Sequence, residues 1–417
     1  MSFSALGLSE PLIRAVTDLG YLAPTPVQTA AIPAILRGSD VCASAKTGSG
    51  KTAAFLLPIL ELLARTPGAS PRRVRALVLV PTRELAAQIA EAVAKYGARL
   101  PGPLRTCLAV GGVSINPQMM ALRGGADVVI ATPGRLLDLV AKNALHLSWV
   151  KTLVLDEADR LLSLGFAEEL ARVLMLLPER CQSLLFSATF PSGVLALAED
   201  VLHEPTQITV DAGEAPSPAE IVHRAIEVDT GKRTLLLRHL LEAHAWSHVL
   251  VFVASRDGAE HVAAKLAKAG IAAAALHGDL GQGARTNALA AFKSKRVRVL
   301  VATDVAARGL DIVGLPAVVN YDLPRSPVDY VHRTGRTGRA GAPGAAVSFV
   351  SADTDAHFRL IERRNQLSIE RERIPGFEPI ELVVPEADPH GGVKGKRKSK
   401  KDKLREASAP EPTKTPL

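Results

Sequence analysis

The stretch Ala45-Lys46-Thr47-Gly48-Ser49-Gly50-Lys51-Thr52 decides how the rest of the chain is read. A short apolar run, roughly Asp40 to Ser44, leads into it, and an apolar helical stretch from about Ala53 to Leu63 leaves it. Strand, glycine-rich loop and helix in that order predict a phosphate-binding loop. Gly48 and Gly50 let successive N–H groups turn inward, and the start of the helix adds partial positive charge at the same place. Lys51 is placed to reach β- and γ-phosphates, and the Thr52 hydroxyl to bind Mg²⁺. Ala45 stands where the general pattern has glycine, a difference of one methyl group.

Continuous apolar runs recur at Ala76 to Val80, Asp127 to Ala131, Thr152 to Leu155 and Ser183 to Phe186, each followed by a polar cluster and a helical stretch. Runs without alternation, separated by helices, predict parallel strands buried on both faces. In such sheets chemistry gathers at the C-terminal ends of the strands. The segments there are Pro81-Thr82-Arg83-Glu84-Leu85, Thr132-Pro133-Gly134-Arg135, Asp156-Glu157-Ala158-Asp159 and Ser187-Ala188-Thr189. Asp156 is placed to hold Mg²⁺ through water, and Glu157 to accept a proton from an attacking water. Carboxylates at strand ends also cap helices, so the phosphate loop is what gives this pair its weight.

Upstream, Ser9 is a candidate cap for a short helix with Pro11 in its first turn and Gly20 past its end. The paired prolines of Gly20-Tyr21-Leu22-Ala23-Pro24-Thr25-Pro26-Val27-Gln28 make either a rigid connector or a device that presents Tyr21 as a stacking ring and Gln28 to a purine edge. Residues 211–220 have the small and proline-rich composition of a linker, which divides the chain into a domain at 1–210 and a second at 221–378. Beyond it, strands are expected at Val249 to Val253, Ala272 to Leu276, Val297 to Ala302, Ala317 to Asn320 and Ala345 to Val350, forming a second parallel sheet without a phosphate loop. The segment His332-Arg333-Thr334-Gly335-Arg336-Thr337-Gly338-Arg339 concentrates cations that call for an anion, with an arginine finger as the natural role and a solvated basic helix face as the alternative. Spacing of three would put Arg333, Arg336 and Arg339 on one face of a helix. His244 and His248 have zinc-helix spacing, but Ala245 replaces the glutamate and no third ligand follows, so they read as surface histidines.

The 417 residues suit two domains and flanking ends, and a composition 47% hydrophobic and 22% charged is that of a globular protein in water. Cys42, Cys107 and Cys181 are odd in number and far apart, which argues for a reducing, cytoplasmic setting without disulfides. The N-terminus has no secretory pattern, and the longest apolar run is broken by Pro58 and Glu61, so no membrane span is expected. Most of the net charge of +8 lies in the run Lys394 to Arg405, where Asp402 is the one acid. The tail at 379–417 therefore reads as a disordered basic segment and the folded part as nearly neutral, so a case for nucleic acid rests on placed residues.

Taken together, the motifs resemble the DEAD-box family of ATP-dependent RNA helicases from about Phe3 to Pro379, and the ending Ile374-Pro375-Gly376-Phe377-Glu378-Pro379 is most similar to its bacterial RhlE-type branch. The resemblance is carried by Gly20 to Gln28 with Phe3 upstream, the phosphate loop (45–52), P-T-R-E-L (81–85), Gly111-Gly112, T-P-G-R (132–135), D-E-A-D (156–159), S-A-T (187–189), Gln282 with Arg285, T-D-V-A-A-R-G-L-D (303–311) and H-R-T-G-R-T-G-R (332–339). It implies two tandem RecA-like domains, each a parallel sheet covered by helices on both faces, with ATP and Mg²⁺ bound between them. It further implies adenine selection by Gln28 and Tyr21, phosphate and metal binding by residues 45–52 and Asp156, and Glu157 as base. Arg336 and Arg339 would be fingers, His332 would approach the γ-phosphate region, and Asp311 would meet the ribose. Ser187 and Thr189 would couple hydrolysis to strand separation. RNA contacts are implied for Thr82, Arg83, Gly112, Thr132, Gly134 and Arg135, and for Gln282, Arg285, Thr303 and Asp304. Ala254-Ser255-Arg256 departs from the family pattern, and nothing is carried over there.

The resulting expectation is a monomeric RNA-stimulated ATPase that separates short duplexes, reading RNA by phosphate and 2′-OH. Ribosomal or RNA-decay assemblies are candidate partners. An ATP-regulated RNA clamp, annealer or assembly factor is the alternative, and a DNA helicase is disfavoured by the motif set.

Overall fold

The computed structural model describes residues 2–45, 48–66, 72–210, 221–307, 314–338 and 344–380. Lys46, Thr47, Asp311, Arg339, the expected linker and the basic run of the tail lie outside the described residues.

Seven strands build the first sheet: β1 (Val41–Ser44), β2 (Ala76–Leu79), β3 (Thr106–Ala109), β4 (Val128–Ala131), β5 (Thr152–Asp156), β6 (Gln182–Ser187) and β7 (Thr206–Thr209). Their order is β3-β4-β2-β5-β6-β1-β7, every pair parallel. Alternate residues of one strand enter different cores, as strand geometry requires. Val78, Val154 and Ile130 join the cluster holding Phe55 and Leu56, whereas Leu77, Leu79, Leu153 and Leu155 join the cluster holding Leu136 and Leu161. Helices therefore cover both faces. The helix Glu10–Asp18 follows Ser9 and packs Leu12 and Val16 into the first core, but the Ser9 hydroxyl makes no cap; its backbone N–H donates to Glu61 Oε2 at 2.8 Å.

The second sheet repeats the architecture with β8 (Ile221–Glu227), β9 (Val249–Val253), β10 (Ala273–Leu276), β11 (Val299–Thr303), β12 (Ala317–Asn320), β13 (Gly344–Val350) and β14 (Arg371–Glu372), in the order β10-β11-β9-β12-β13-β8-β14. The expected strands of both sheets are present. One expectation fails: the helix Pro327–Thr334 stops at Gly335, so Arg336 lies past its end and does not share a helical face with Arg333. A glycine loses more backbone freedom in a helix than other residues and ends one more readily than it continues it.

Candidate functional site

Parallel strands bring all their C-terminal ends to one edge, and the sheet order divides that edge in two. Residues read as nucleotide-binding or catalytic follow β5 and β1, with the coupling residues Ser187 and Thr189 at the end of β6 between them; residues read as RNA-binding in this domain follow β3, β4 and β2.

In the first half, Gly50 adopts φ +93° and immediately precedes the helix Lys51–Arg65. A Cβ at Gly50 would collide with the Gln28 amide, so both backbone and space demand glycine. Gln28 is buried and ties two segments together: its Oε1 accepts from the Thr25 N–H at 3.0 Å, and its Nε2 donates to Gly50 O at 3.1 Å. One amide hydrogen and one oxygen lone pair remain for a purine edge. Tyr21 is 38% exposed, with its hydroxyl 3.0 Å from that of Tyr96 and its ring 6.5 Å from Phe3. The same segment is thus both rigid and open, and the connector and stacking readings are compatible.

Lys51 is buried and donates to Ala45 O at 2.8 Å. Asp156, at the end of β5, is also buried, and burial pushes its carboxyl up to about 7 against the pull of Lys51, with Glu157 adding to the rise. A buried carboxylate so raised is suited to a cation. Ser49 Oγ is buried without a hydrogen-bond partner. Carboxylate, Thr52 hydroxyl and unpartnered loop donor fit a phosphate-bound Mg²⁺, which takes few protein ligands. No group of three or more His, Cys, Asp or Glu able to hold a metal occurs among the described residues. Glu157 stands half-buried at φ +52°, a strained conformation for a side chain of its size. Asp159 of the same segment accepts from Thr189 Oγ1 at 2.7 Å, and Ser187 Oγ donates to Thr189 O at 2.7 Å, joining the loops after β5 and β6.

In the other half, Thr82 Oγ1 caps the helix Arg83–Gly97 by accepting from Leu85 N–H at 3.2 Å. Arg83 donates to Gly111 O at 3.3 Å and lies so close beneath Gly112 that a Cβ there would strike its guanidinium. Thr132 Oγ1 accepts from Gly111 N–H at 3.4 Å, and Arg135 donates to Val113 O at 2.8 Å while Nε and Nη1 have no hydrogen-bond partner. Gly134 lies one residue before it, half-buried. Backbone carbonyls hold both arginines, and Arg135 also pairs with Asp138 at 3.5 Å, so of the two Arg83 has its charge left for an outside anion.

The second domain faces this edge. Arg160, directly after Asp159, pairs with Asp329 at 3.2 Å and contacts His332 Nδ1. Burial pushes His332 down to about 4, with Arg160 acting in the same direction and Asp159 and Asp329 against it. Arg336 is buried close by. Arg285 and Glu84, both buried, form an ion pair at 2.7 Å between the starts of the helices Gln282–Lys293 and Arg83–Gly97. Gln282 Oε1 is buried without a partner. Thr303 ends β11, and Asp304 beside it binds Arg333 at 2.6 Å, with Asn320 Oδ1 accepting from the same arginine at 3.0 Å. Arg333 is thus a structural cation of the second domain, and the structure holds Arg285 and Asp304 in ion pairs rather than presenting them freely. Sequence reading missed Arg160, Asp329 and the part played by Glu84; the adjacency of Arg160 to the acidic quartet was the available signal.

Comparison with known proteins agrees with this arrangement. The chain matches the sequence families described as DEAD/DEAH box helicase over residues 25–197 and helicase conserved C-terminal domain over 231–341. It is 41% identical to the ATP-dependent RNA helicase DeaD of Mycobacterium tuberculosis over 91% of its own length, and spans 66% of that protein. Identity is also 41% to the DEAD-box ATP-dependent RNA helicase CshA of Geobacillus kaustophilus, with 90% of this chain and 79% of the relative aligned. Among solved structures, S. cerevisiae Dbp5 bound to RNA and ADP BeF3 superimposes with a TM-score of 0.79 at 31% identity, covering 89% of this chain and 95% of that one. On the ordered motifs, the paired sheets and these relatives, the chain belongs to the DEAD/DEAH box helicase family.

Proposed function

We propose that the protein is an ATP-dependent RNA helicase that hydrolyses ATP between its two sheets, is stimulated by RNA, and uses closure of the domains to separate short duplexes. The observation that carries this reading is Arg160: one buried side chain links the acidic segment after β5 to Asp329 and His332 of the other domain. Hydrolytic residues and domain closure are then one event. Gln28 and Tyr21 select adenine, Lys51 and the loop hold the phosphates, and Glu157 takes the proton from the attacking water. Mg²⁺ bound by Thr52 and, through water, by Asp156 would neutralise charge on the phosphates. Arg336, with Arg339 and Asp311, would complete the nucleotide site from the second domain, while Ser187 and Thr189 pass the state of the nucleotide to Asp159.

RNA would lie along the ends of β3, β4 and β2, against Thr82, Arg83, Gly112, Thr132, Gly134 and Arg135, with Gln282, Arg285, Thr303 and Asp304 opposite. Backbone contacts of this kind select RNA without reading sequence. The domain boundaries at 210 and 221, a monomeric state, a cytoplasmic setting and service in ribosomal or RNA-decay assemblies belong to the same proposal. No helix among the described residues is long and apolar enough to cross a membrane.

The test is steady-state ATPase with and without single-stranded RNA, beside single-stranded DNA and Glu157→Gln. Expected is stimulation by RNA alone, and a loss of roughly 10²- to 10⁴-fold in the variant. Equal stimulation by DNA would defeat the RNA assignment; strand annealing without ATP-driven separation would replace the helicase with a clamp. Removing 394–405 should weaken RNA binding at low salt and leave the maximal rate in place.

A further inference from the structure

The edge of the first sheet farthest from the nucleotide site is basic and carries an exposed indole. At the N-terminal ends of β3, β4, β2, β5 and β6 the backbone steps through Arg105, Asp127, Arg75, Lys151 and Gln182. Asp127 N–H donates to Arg105 O at 2.7 Å, Arg75 N–H to Asp127 O at 3.0 Å, Lys151 N–H to Arg75 O at 2.8 Å, and Gln182 N–H to Lys151 O at 2.9 Å. Asp127, the acid in this row, is buried and already bound by Arg72 and Arg75. Arg105, Arg123, Lys151 and Arg180 are exposed, and the last three form no ion pair among the described residues. Adjacent strands lie about 4.8 Å apart, so the cations form a band rather than a point.

Trp149 stands in that band. Leu145, Leu147 and Val150 are buried and anchor its loop, yet the indole itself is 52% exposed, so packing does not account for it. The Arg73 guanidinium lies 3.7 Å from the ring centroid, over one face. We infer that this edge is a second contact for single-stranded RNA, in which a base stacks on the other face of Trp149 and phosphates lie against Lys151, Arg123 and Arg105. An acidic peptide would be satisfied by the cations alone. An exposed ring among cations matches the combination of stacking surface and positive track that binds single strands without reading sequence. The inference takes its ligand from the function proposed above but uses none of the residues named there.

The test uses the full chain carrying Trp246→Phe, which leaves Trp149 as the reporting indole because the chain has two tryptophans. Oligouridylate should quench its fluorescence at low salt, and Trp149→Phe should abolish the signal. Trp149→Ala should weaken oligouridylate binding about fivefold or more, and Lys151→Gln should lower the slope of log affinity against log salt by about 0.7. Unchanged melting temperature is the folding control. Undiminished affinity in Trp149→Ala overturns the inference, and polyglutamate quenching as strong as that by oligouridylate replaces RNA with an acidic protein. RNA-stimulated ATPase with a silent indole sinks this site alone; quenching without stimulation sinks the helicase reading and leaves the site standing.

Discussion

Lys51 and Arg233 occupy the same station in two copies of one architecture and have opposite fates. β1 and β8 hold equivalent places in their sheets, as do β5 and β12, and each cation is the first residue of the helix that follows β1 or β8. Arg233 binds Asp322, just beyond β12, at 2.7 Å and Ser351 Oγ at 2.7 Å; the other Asp322 oxygen accepts from Ala254 N–H at 2.8 Å. Among the described residues Lys51 bonds a backbone carbonyl and no carboxylate, and burial raises the carboxyl of Asp156, at the end of β5, against the pull of Lys51. The cause lies between strand and helix. A loop ending in Gly50 delivers Lys51, whose ammonium turns back to Ala45 O, whereas the single turn Thr230–Lys232 precedes Arg233, which bonds its carboxylate. A strand-end cation and carboxylate joined in an ion pair are structural, whereas Lys51 and Asp156, which form none, remain available to a ligand.

The largest effects should separate the two stations. Arg233→Ala strands Asp322 in a half-buried site, and removing one partner of such a pair costs about 3–5 kcal/mol; chemical denaturation should show the second domain lost first. Lys51→Ala should instead leave the denaturation curve in place and cut ATP turnover roughly 10²- to 10³-fold, the cost of one missing stabiliser of developing charge. If Lys51→Ala unfolded the protein and Arg233→Ala silenced only catalysis, the contrast would be reversed.

How much of this was legible beforehand follows the same line between interior and contact. Interior strands read as apolar runs because both faces are covered. β3, β7, β8 and β14 went unread: Thr-Gln-Ile-Thr of β7 and Ile-Val-His-Arg-Ala-Ile-Glu of β8 mix polar with apolar residues and form no continuous apolar run, because they lie at or next to a sheet edge. Within the site, the glycine loop, Asp156 and Glu157 were readable because their chemistry is local in sequence. Arg160 with Asp329, and Glu84 with Arg285, join residues far apart in the chain, and no local pattern announces a contact made only when two sheets meet. The arginine triplet misled for the converse reason, since a spacing of three means a shared face only while the helix lasts, and Gly335 ends it.

Glu84 and Arg285 offer a smaller and sharper measurement, because here the cation and carboxylate meet across domains. Resemblance assigns Arg285 to RNA, whereas the structure pairs it with Glu84 at 2.7 Å. If that pair forms on closure, Glu84→Gln and Arg285→Gln should be non-additive in RNA affinity measured with a non-hydrolysable ATP analogue, with a coupling of about 0.5–3 kcal/mol. Strict additivity would return Arg285 to RNA alone and make the pair incidental.

The smallest effect concerns His332, whose neighbours in the closed arrangement are Arg160, Arg336, Asp159 and Asp329. An open His332 titrates near its ordinary value of about 6.5, whereas the closed one is held down to about 4 by burial and by Arg160. The closed state therefore binds its proton more weakly, so closure is at full strength above about 6.5 and weakens as pH falls through that value toward about 4. Donor and acceptor labels on the two domains, read with ATP analogue and RNA bound, should report progressive opening across that window. His332→Gln removes that imidazole, and its closure should decline less than the parent's, leaving what the Asp156 carboxyl, pushed up to about 7, contributes. A parent that remains closed down to pH 4 would mean that His332 leaves Arg160 before it accepts the proton, and the seam would then be held by Arg160–Asp329 and Arg285–Glu84 without it.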